Sequence, residues 1–358
     1  MEKTEPFTLT KLALYGRMTI KFGGIGLVLI VVAQMFISAS IKYWAATHPP
    51  APPPPTVGFG ALPQLHFPVK SQAEKPTSYQ LQILSSRFPK FSDRSNVYLM
   101  TKTSPDLLAD QRVRSAAKNL GFSGEPNILS SRTYRWSRSS PMQATLEMDT
   151  QNNNFTLFTD FLSRPELLTQ KNLPDNSSAV SSIASYVGSI GGLPTDLSPS
   201  LASVQFLKSL GNSLGPAVSF SDADFLQVDI ARIPIDKKSF YAPGGTRGIV
   251  HGVVSGGNSQ SSQIVELEYQ YHEINYTQLQ TYPIRTPEQA WQVLQAGEGY
   301  IAQKGTSDVA IIRNVTLGYY DDTAEQDYMQ PIYVFSGDNG FLGYVPAIDP
   351  RYVQAKLP

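Results

Sequence analysis

The sequence FGGIGLVLIVVAQMFISASI, residues 22–41, is a continuous, uncharged and largely apolar stretch. At ~1.5 Å of rise per residue, a helix of this length spans the ~30 Å hydrocarbon core of a bilayer. It therefore predicts a transmembrane helix near the amino terminus. Tyr43 and Trp44 follow directly, and such amphipathic rings are typical of the membrane–water interface.

The charges on either side of that stretch predict its orientation. Four cations precede it: Lys3, Lys11, Arg17 and Lys21. Only Lys42 lies immediately after it. Because positive charge accumulates on the cytoplasmic side of membrane helices, we expect a cytoplasmic amino terminus and an extracytoplasmic carboxy-terminal region. The alternative is a cleaved signal peptide, since residues 38–40 are small, although the apolar region of a signal peptide normally runs only ~7–15 residues.

The composition beyond the apolar stretch indicates a folded body with a polar but weakly charged surface. Charged residues form 16% of the chain, against a usual ~25%, and the formal net charge is zero. Nothing in this balance would attract nucleic acid, which we therefore exclude as a partner. The chain has no cysteine, so disulfides and thiolate chemistry are excluded and a eukaryotic secretory origin is disfavoured.

A proline-rich segment follows the apolar stretch, with the sequence PPAPPPPTVGFGALPQLHFP at residues 49–68. Such a composition favours an extended polyproline II conformation and predicts a linker that lifts the folded part away from the membrane. We therefore divide the chain into a cytoplasmic tail, a transmembrane signal anchor, a Pro-rich linker and three successive folded modules: residues 1–21, 22–44, 45–76, 77–165, 166–280 and 281–358.

The hydrophobic patterns of the first two modules predict helices followed by alternating strands. In the first, Ser104 and Gly121 are the expected caps of a helix over residues 105–120. In the second, residues 178–193 and 198–214 are the expected helices. The strands expected in these two modules are 96–100, 129–136, 144–149, 155–161, 225–233, 248–255 and 263–274.

The last module shows the same order of elements. Thr286 is the expected N-cap of a helix that ends at Gly297. Strands are expected at residues 309–320, 328–336 and 342–348, and Pro331 should lie on an edge strand or at a bulge. Together these patterns predict an α+β fold, with one N-terminal transmembrane helix, a Pro-rich stalk, and then tandem modules of a helix on a small antiparallel sheet.

The carboxy-terminal 70 residues or so carry a resemblance to a known family. The residues concerned are an Ala-x-x-x-Leu helix at Ala290 to Leu294, the strand Leu317 to Tyr320, and the strand Pro331 to Tyr333. This region resembles the final module of YycH/YycI-type extracytoplasmic proteins, which is related to PepSY-like domains. The resemblance implies a single-pass membrane regulator of a sensor kinase, and it implies no catalytic residue.

Two groups of residues fit hydrolase chemistry by pattern. Residues 211–215, GNSLG, match the G-x-S-x-G nucleophile elbow around Ser213, and carboxylates such as Asp229 followed by His251 or His272 preserve the order Ser, Asp, His. The expected helix before Ser213 and the proline after it do not fit an elbow, which needs a strand before the serine and a helix after it. Glu266 and Glu268 form a candidate carboxylate pair, although their alternating strand pattern makes solvated side chains the simpler interpretation.

Two sets of carboxylates are candidates for metal binding. Four carboxylates, Asp321, Asp322, Glu325 and Asp327, gather in an acidic loop where a hairpin turn is expected, but they lack the glycine and the spacing of an EF-hand. Asp222, Asp224 and Asp229 are a weaker set, because a strand would direct them differently. The four histidines show no ligand spacing. We therefore predict no catalytic, metal or cofactor-binding residues and no cofactor.

These observations favour a non-enzymatic, single-pass protein of the bacterial cell membrane. Its expected partners are the lipid bilayer and another envelope or membrane protein, which it would bind as a regulator or as an assembly subunit. The alternative functions are binding of cell-wall glycan through exposed tyrosines, of which the chain has 18 in all, and hydrolysis of the wall.

Overall fold

The computed structural model describes residues 9–47, 53–71, 74–85, 87–104, 106–140, 142–163, 172–245, 247–257 and 263–355. The chain divides into two compact units, Met1–Pro54 and Pro55–Pro358. The first contains the helix α1 (Leu9–Thr47), and the second contains every other helix and strand described below.

Helix α1 contains the apolar stretch. It runs without interruption for 39 residues, and its segment Leu12–Ala45 includes a stretch of 18 residues that has a mean hydropathy of 2.3 and of which none is buried. It is long and apolar enough to cross a membrane. The prediction of an apolar amino-terminal helix is confirmed, although the helix begins well before residue 22.

A nine-stranded antiparallel sheet forms half of the second unit. The strands are β3 (Asn127–Ile128), β4 (Thr133–Arg138), β5 (Ala144–Asp149), β6 (Phe155–Thr159), β7 (Ser203–Ser209), β8 (Leu214–Pro216), β9 (Phe225–Ile230), β11 (Val250–Val254) and β12 (Ile264–Tyr269). Their spatial order in the sheet is β3-β4-β5-β6-β12-β11-β9-β7-β8. Helices α2 (Ala109–Asn119) and α3 (Asn176–Gly188) cover one face and bury their apolar sides there, including Val113 and Ile183.

An eight-stranded mixed sheet forms the other half. The strands are β1 (Ser78–Leu81), β2 (Arg94–Met100), β10 (Phe240–Tyr241), β13 (Ile274–Pro283), β14 (Tyr300–Gln303), β15 (Val309–Tyr320), β16 (Tyr328–Gly337) and β17 (Leu342–Pro346). Strand β15 pairs in parallel with β1 and β10 and antiparallel with β16, while β16 also pairs with β2 and β17. Helix α4 (Pro287–Gln295) buries Ala290 and Leu294 in the core of this sheet.

The α+β class is therefore confirmed, and several local predictions agree with the structure. Thr286 caps α4 through a reciprocal capping box with Gln289, which satisfies two backbone N–H groups that a helix start leaves without partners. Gly121 follows α2 with a φ of +85°, a conformation that only glycine adopts at little cost. The helix itself begins at Ala109, later than expected, and Ser104 does not cap it.

Residues 198–214 were expected to be helical, and that prediction is wrong. They form β7 and the start of β8, joined by a turn in which the Leu210 N–H donates to the Ser213 carbonyl. Apolar residues lie on both faces of β7, because Phe206 packs on the helix-covered side and Leu207 packs in a separate cluster. The resulting pattern lacks strand alternation and imitates helical spacing.

The prediction of three successive modules does not hold. The nine-stranded sheet combines β3 to β6 from the expected first module with β7, β8, β9, β11 and β12 from the middle one. The eight-stranded sheet takes strands from all three modules, since β2 pairs with β13 and with β16. Each sheet is completed only by long-range pairing, so neither sheet follows the expected boundaries.

Pro331 lies in β16, an interior strand, and not at an edge as predicted. On one side Pro331 faces Tyr319 of β15. On the other side the neighbour of β16 changes from β2, which pairs with Tyr328 and Met329, to β17, which pairs from Ile332 onward. Proline has no backbone N–H to donate to a neighbouring strand. Pro331 lies where the neighbour of β16 changes from β2 to β17, which explains why an interior strand tolerates it.

Residues 55–71, which we call the strap, pack against the second unit, so the stalk prediction is wrong for this part of the Pro-rich segment. The Val57 N–H donates to the Thr281 carbonyl at 3.1 Å, and Leu62 is fully buried beside Val353. Phe67 stacks on Tyr300 with ring centres 4.9 Å apart. Apolar residues between the prolines therefore anchor the strap to the eight-stranded sheet. Residues 48–52 lie outside the described residues.

Candidate functional site

The acidic loop between β15 and β16, residues 321–327, lies where the two sheets meet. Three adjoining cavities of about 400, 380 and 180 Å³ surround it, and we call them together the inter-sheet cleft. The largest is bounded by the strap and by the end of β2, the second by β4 to β6, and the smallest by the segment between β10 and β11. This convergence of elements makes the cleft the best-formed candidate site in the part of the chain that the structure describes.

Arg232 holds the floor of the cleft in place. Its guanidinium is completely buried, and Nε donates to Asp321 Oδ2 at 2.7 Å. Nη1 donates to an oxygen of Asp196 and Nη2 to the carbonyl of His272. The ring of Tyr271 lies 4.6 Å from the guanidinium carbon, within the range of a cation–π contact. One side chain thereby ties the acidic loop to the nine-stranded sheet.

The charges around Arg232 do not balance. Its single positive charge faces two carboxylates, Asp321 and Asp196, and each keeps a buried Oδ1 without a hydrogen-bond partner. Burial opposes the charge of Arg232, but Asp321 and Asp196 outweigh it and raise the pKa of the guanidinium. Burial also raises the pKa of Asp321, against the opposing effect of Arg232. The floor of the cleft is thus a buried site with an excess of acceptor oxygens.

Two histidines reach the acidic loop from distant parts of the sequence. His66 of the strap lies 3.7 Å from Asp322, between Nδ1 and Oδ2, and His272 lines both larger cavities. The spacing of the histidines in the sequence could not reveal this convergence, because more than 200 residues separate His66 from His272. Tertiary pairing of β13 with β2 and of β2 with β16 is what brings His272 close to the loop.

His272 makes folding stability depend on pH. Its pKa is lowered from the ordinary value, because burial disfavours the imidazolium more than nearby carboxylates favour it. The charged groups that face it are Asp321, Glu325, Arg232 and Asp322. As the pH falls, the unfolded chain takes up the histidine proton before the folded chain does. The contribution of His272 to stability is therefore present above about pH 6.5 and is lost as the pH falls below that value.

We expect the free energy of unfolding to fall between about pH 7.5 and about pH 5.5, and to fall less in His272→Gln. Denaturant unfolding of the full-length protein at the two pH values measures the difference. His66→Gln, which replaces an exposed histidine, is the matched control and should behave as the wild type does. An identical pH dependence in wild type and His272→Gln would contradict this assignment.

The four carboxylates of the acidic loop have different partners and do not converge. Asp321 contacts Arg232, Glu325 contacts Arg132, and Asp327 lies 2.7 Å from Lys102. Across the described ranges, no group of three or more His, Asp or Glu side chains is placed to hold a metal ion. The candidate calcium site is therefore not assembled in these residues. Asp222 and Asp224 are likewise separated, one bound to Lys208 and the other to the Ser209 N–H.

The structure brings together only two of the three candidate hydrolase residues. His251 Nδ1 lies 2.7 Å from Asp229 Oδ1, and the pair is buried in the middle of the nine-stranded sheet. Ser213 lies in the β7–β8 turn, whereas Asp229 is opposite Ser203 at the other end of β7, roughly 20 Å away along the strand. A strand and not a helix follows Ser213, so it does not form a nucleophile elbow.

The Asp229–His251 pair is nevertheless well oriented. Asp229 also accepts from the Gly248 N–H and from Gln227 Nε2. Burial opposes its ionisation, but these bonds and His251 outweigh that effect and lower the pKa of Asp229. The pair belongs to a polar row that crosses the sheet one residue per strand: Asn127, Arg135, Glu147, Thr156, Glu268, His251, Asp229 and Ser203.

Glu266 and Glu268 were predicted to be solvated, but the two carboxylates share one cation and are not freely solvated. An Arg247 nitrogen contacts Glu268 directly and lies 3.9 Å from Glu266. Both carboxylates are about three-quarters buried, at 29% and 25% side-chain exposure. The pair is therefore partly neutralised, unlike two carboxylates that divide the roles of acid and nucleophile.

Comparison with known proteins gives no functional assignment. No protein-family profile matches the chain, and no curated protein matches it. Among solved structures, the chain is similar to an uncharacterized protein from Eubacterium rectale ATCC 33656, with 10% sequence identity and a TM-score of 0.34. The similarity covers 72% of this chain and 84% of that one. At this TM-score, the likeness carries no argument about function.

Proposed function

We propose that this chain is a non-enzymatic, single-pass protein of the bacterial cell membrane that binds another envelope protein through the inter-sheet cleft. In this proposal the protein acts as a regulator or as a subunit of an assembly. The observation that carries the proposal is the buried, charged floor of the cleft, in which Arg232 binds Asp321 and leaves acceptor oxygens without partners. Unsatisfied buried polar groups of this kind cost stability, and binding a complementary partner would recover that cost.

The charges flanking α1 support the proposed orientation. With the amino terminus in the cytoplasm, the folded unit would face the extracytoplasmic side. The resemblance of the last 70 residues or so to YycH/YycI-type proteins favours a membrane partner such as a sensor kinase. The absence of cysteine agrees with a fold that gains its stability from two large sheets and needs no disulfides.

Cross-linking in intact cells tests both orientation and binding. A membrane-impermeant, amine-reactive cross-linker added from outside should capture a reproducible membrane or envelope protein, which mass spectrometry would identify. We expect at least about tenfold less capture from a variant in which Asp321 is replaced by Asn than from the wild type. Failure of the reagent to reach the folded unit would contradict the orientation, and capture that is equal in the variant would contradict binding through the cleft.

A wall hydrolase remains the second candidate, because the Asp229–His251 pair has the geometry of a base and the group that orients it. Ser213 does not complete it, because it lies roughly 20 Å away along the strand. The glycan-binding alternative has fewer accessible tyrosines than the sequence count suggests. Half of the 18 tyrosines are buried, namely Tyr98, Tyr186, Tyr269, Tyr282, Tyr300, Tyr319, Tyr320, Tyr333 and Tyr344.

A further inference from the structure

The smallest cavity of the cleft has an unusual wall. It measures about 180 Å³ and is lined by Asp321, Asp322, Glu268, Gln270 and Arg247, together with small and apolar residues of the segment before β11. Drug-sized ligands occupy pockets of ~300–1,000 Å³, so this volume suits the end of one side chain. Asp321 and Asp322 are only 4% and 5% exposed, which places two carboxylates in its buried part.

These carboxylates are not saturated by the cations around them. Asp321 Oδ2 binds Arg232, but Oδ1 is buried and has no hydrogen-bond partner. Arg232 must also neutralise Asp196, whose own Oδ1 lacks a partner. Arg247, the one cation in the cavity wall among the lining residues, is bound to Glu268. The cavity wall therefore carries an excess of negative charge, and one of its two buried carboxylates has an oxygen that no donor among the described residues satisfies.

Only a cation that carries hydrogen-bond donors matches this wall. A metal ion would need several converging ligands, and the described residues offer no group of three. A guanidinium or ammonium group supplies positive charge and N–H donors at the end of a narrow side chain, and charge-assisted hydrogen bonds to carboxylates are the strong ones. We propose that this cavity binds the basic side chain of a partner protein, with Asp321 and Asp322 as its acceptors. This inference rests on the proposed function and names the chemistry of the group that the partner inserts.

The experiment uses the full-length protein in phospholipid nanodiscs and titrates it with argininamide by calorimetry. Citrullinamide is the matched probe, because it has nearly the same shape without the charge. We expect citrullinamide to bind at least about tenfold more weakly than argininamide, and Asp321→Asn to weaken argininamide binding by a similar factor. Asp308→Asn is the control variant, since Asp308 forms an exposed ion pair with Lys304 and should leave binding unchanged.

Asp322→Asn provides a second variant in case Asp321→Asn unfolds, because Asp322 pairs with the exposed His66 and accepts from the Ala324 N–H. It should also weaken argininamide binding. Equal binding of the two probes, or unchanged binding in the folded variants, would overturn the inference. So would Ca²⁺ binding at the same residues in competition with argininamide. If argininamide binds as expected but cross-linking captures no protein, then the proposed function fails and the cavity chemistry stands. If cross-linking captures a protein but argininamide does not bind, then the inference about the cavity fails and the proposed function stands.

Discussion

Arg232→Met should destabilise the folded unit by about 3–5 kcal/mol, the largest effect that we expect from any single substitution in this chain. The guanidinium is completely buried and contacts Asp321, Asp196 and the His272 carbonyl. Methionine fills similar space but leaves two buried carboxylates without compensation, and a buried charge without its partner is costly. Chemical denaturation of the full-length protein in detergent micelles, followed by tryptophan fluorescence, measures the change.

Two further variants separate the effect of the network from the loss of a cation. Arg313→Met removes a bidentate pair with Asp338 at the surface and should cost much less stability than Arg232→Met. Adding Asp321→Asn and Asp196→Asn to Arg232→Met removes the uncompensated charges and should restore part of the lost stability. A cost near that of Arg313→Met would show that Arg232 does not hold the floor of the cleft.

Leu62→Ala should cost about 2–5 kcal/mol, because it removes a completely buried side chain from the contact between the strap and the eight-stranded sheet. The result would distinguish a packed strap from the free stalk that the proline content predicts. Val69→Ala is the matched control in the same segment, since Val69 is fully exposed and its loss should change stability by no more than ~0.5 kcal/mol.

The same denaturation experiment, performed on the full-length chain, measures both strap variants. Thermal unfolding should show the corresponding order, with Val69→Ala close to wild type and Leu62→Ala melting earlier. If Leu62→Ala and Val69→Ala were equally stable, the strap would contribute nothing to the fold and the prediction of a free linker would stand.

Sequence reasoning succeeds in this chain where local chemistry decides the structure. The bounds of β5 and β15 agree with the hydrophobic pattern, and Thr286 and Pro287 mark the start of α4. The apolar stretch of α1 is equally local. Each of these elements depends on neighbours in sequence, through capping, alternation or length, and not on which distant strand lies beside it.

It fails where tertiary pairing decides. Residues 198–214 carry apolar side chains on both faces, which a helix and a twice-buried strand satisfy equally well until β9 pairs with β7. The composition of the strap is typical of a linker, because prolines are frequent in it and the apolar residues that anchor it are few. The cleft depends on still longer contacts, since Arg232 binds Asp321 across 89 positions of sequence.

The most direct test of the account places a photoreactive amino acid in the cleft of the full-length protein in its native membrane. Gln326 lines the largest of the three cavities of the cleft and is the position to replace, and Leu84, fully exposed elsewhere on the same unit, is the control. We predict that the probe at 326 cross-links to one membrane or envelope protein and that the probe at 84 does not. Cross-linking to the same proteins from both positions, or to none from position 326, would contradict the claim that the cleft binds a partner.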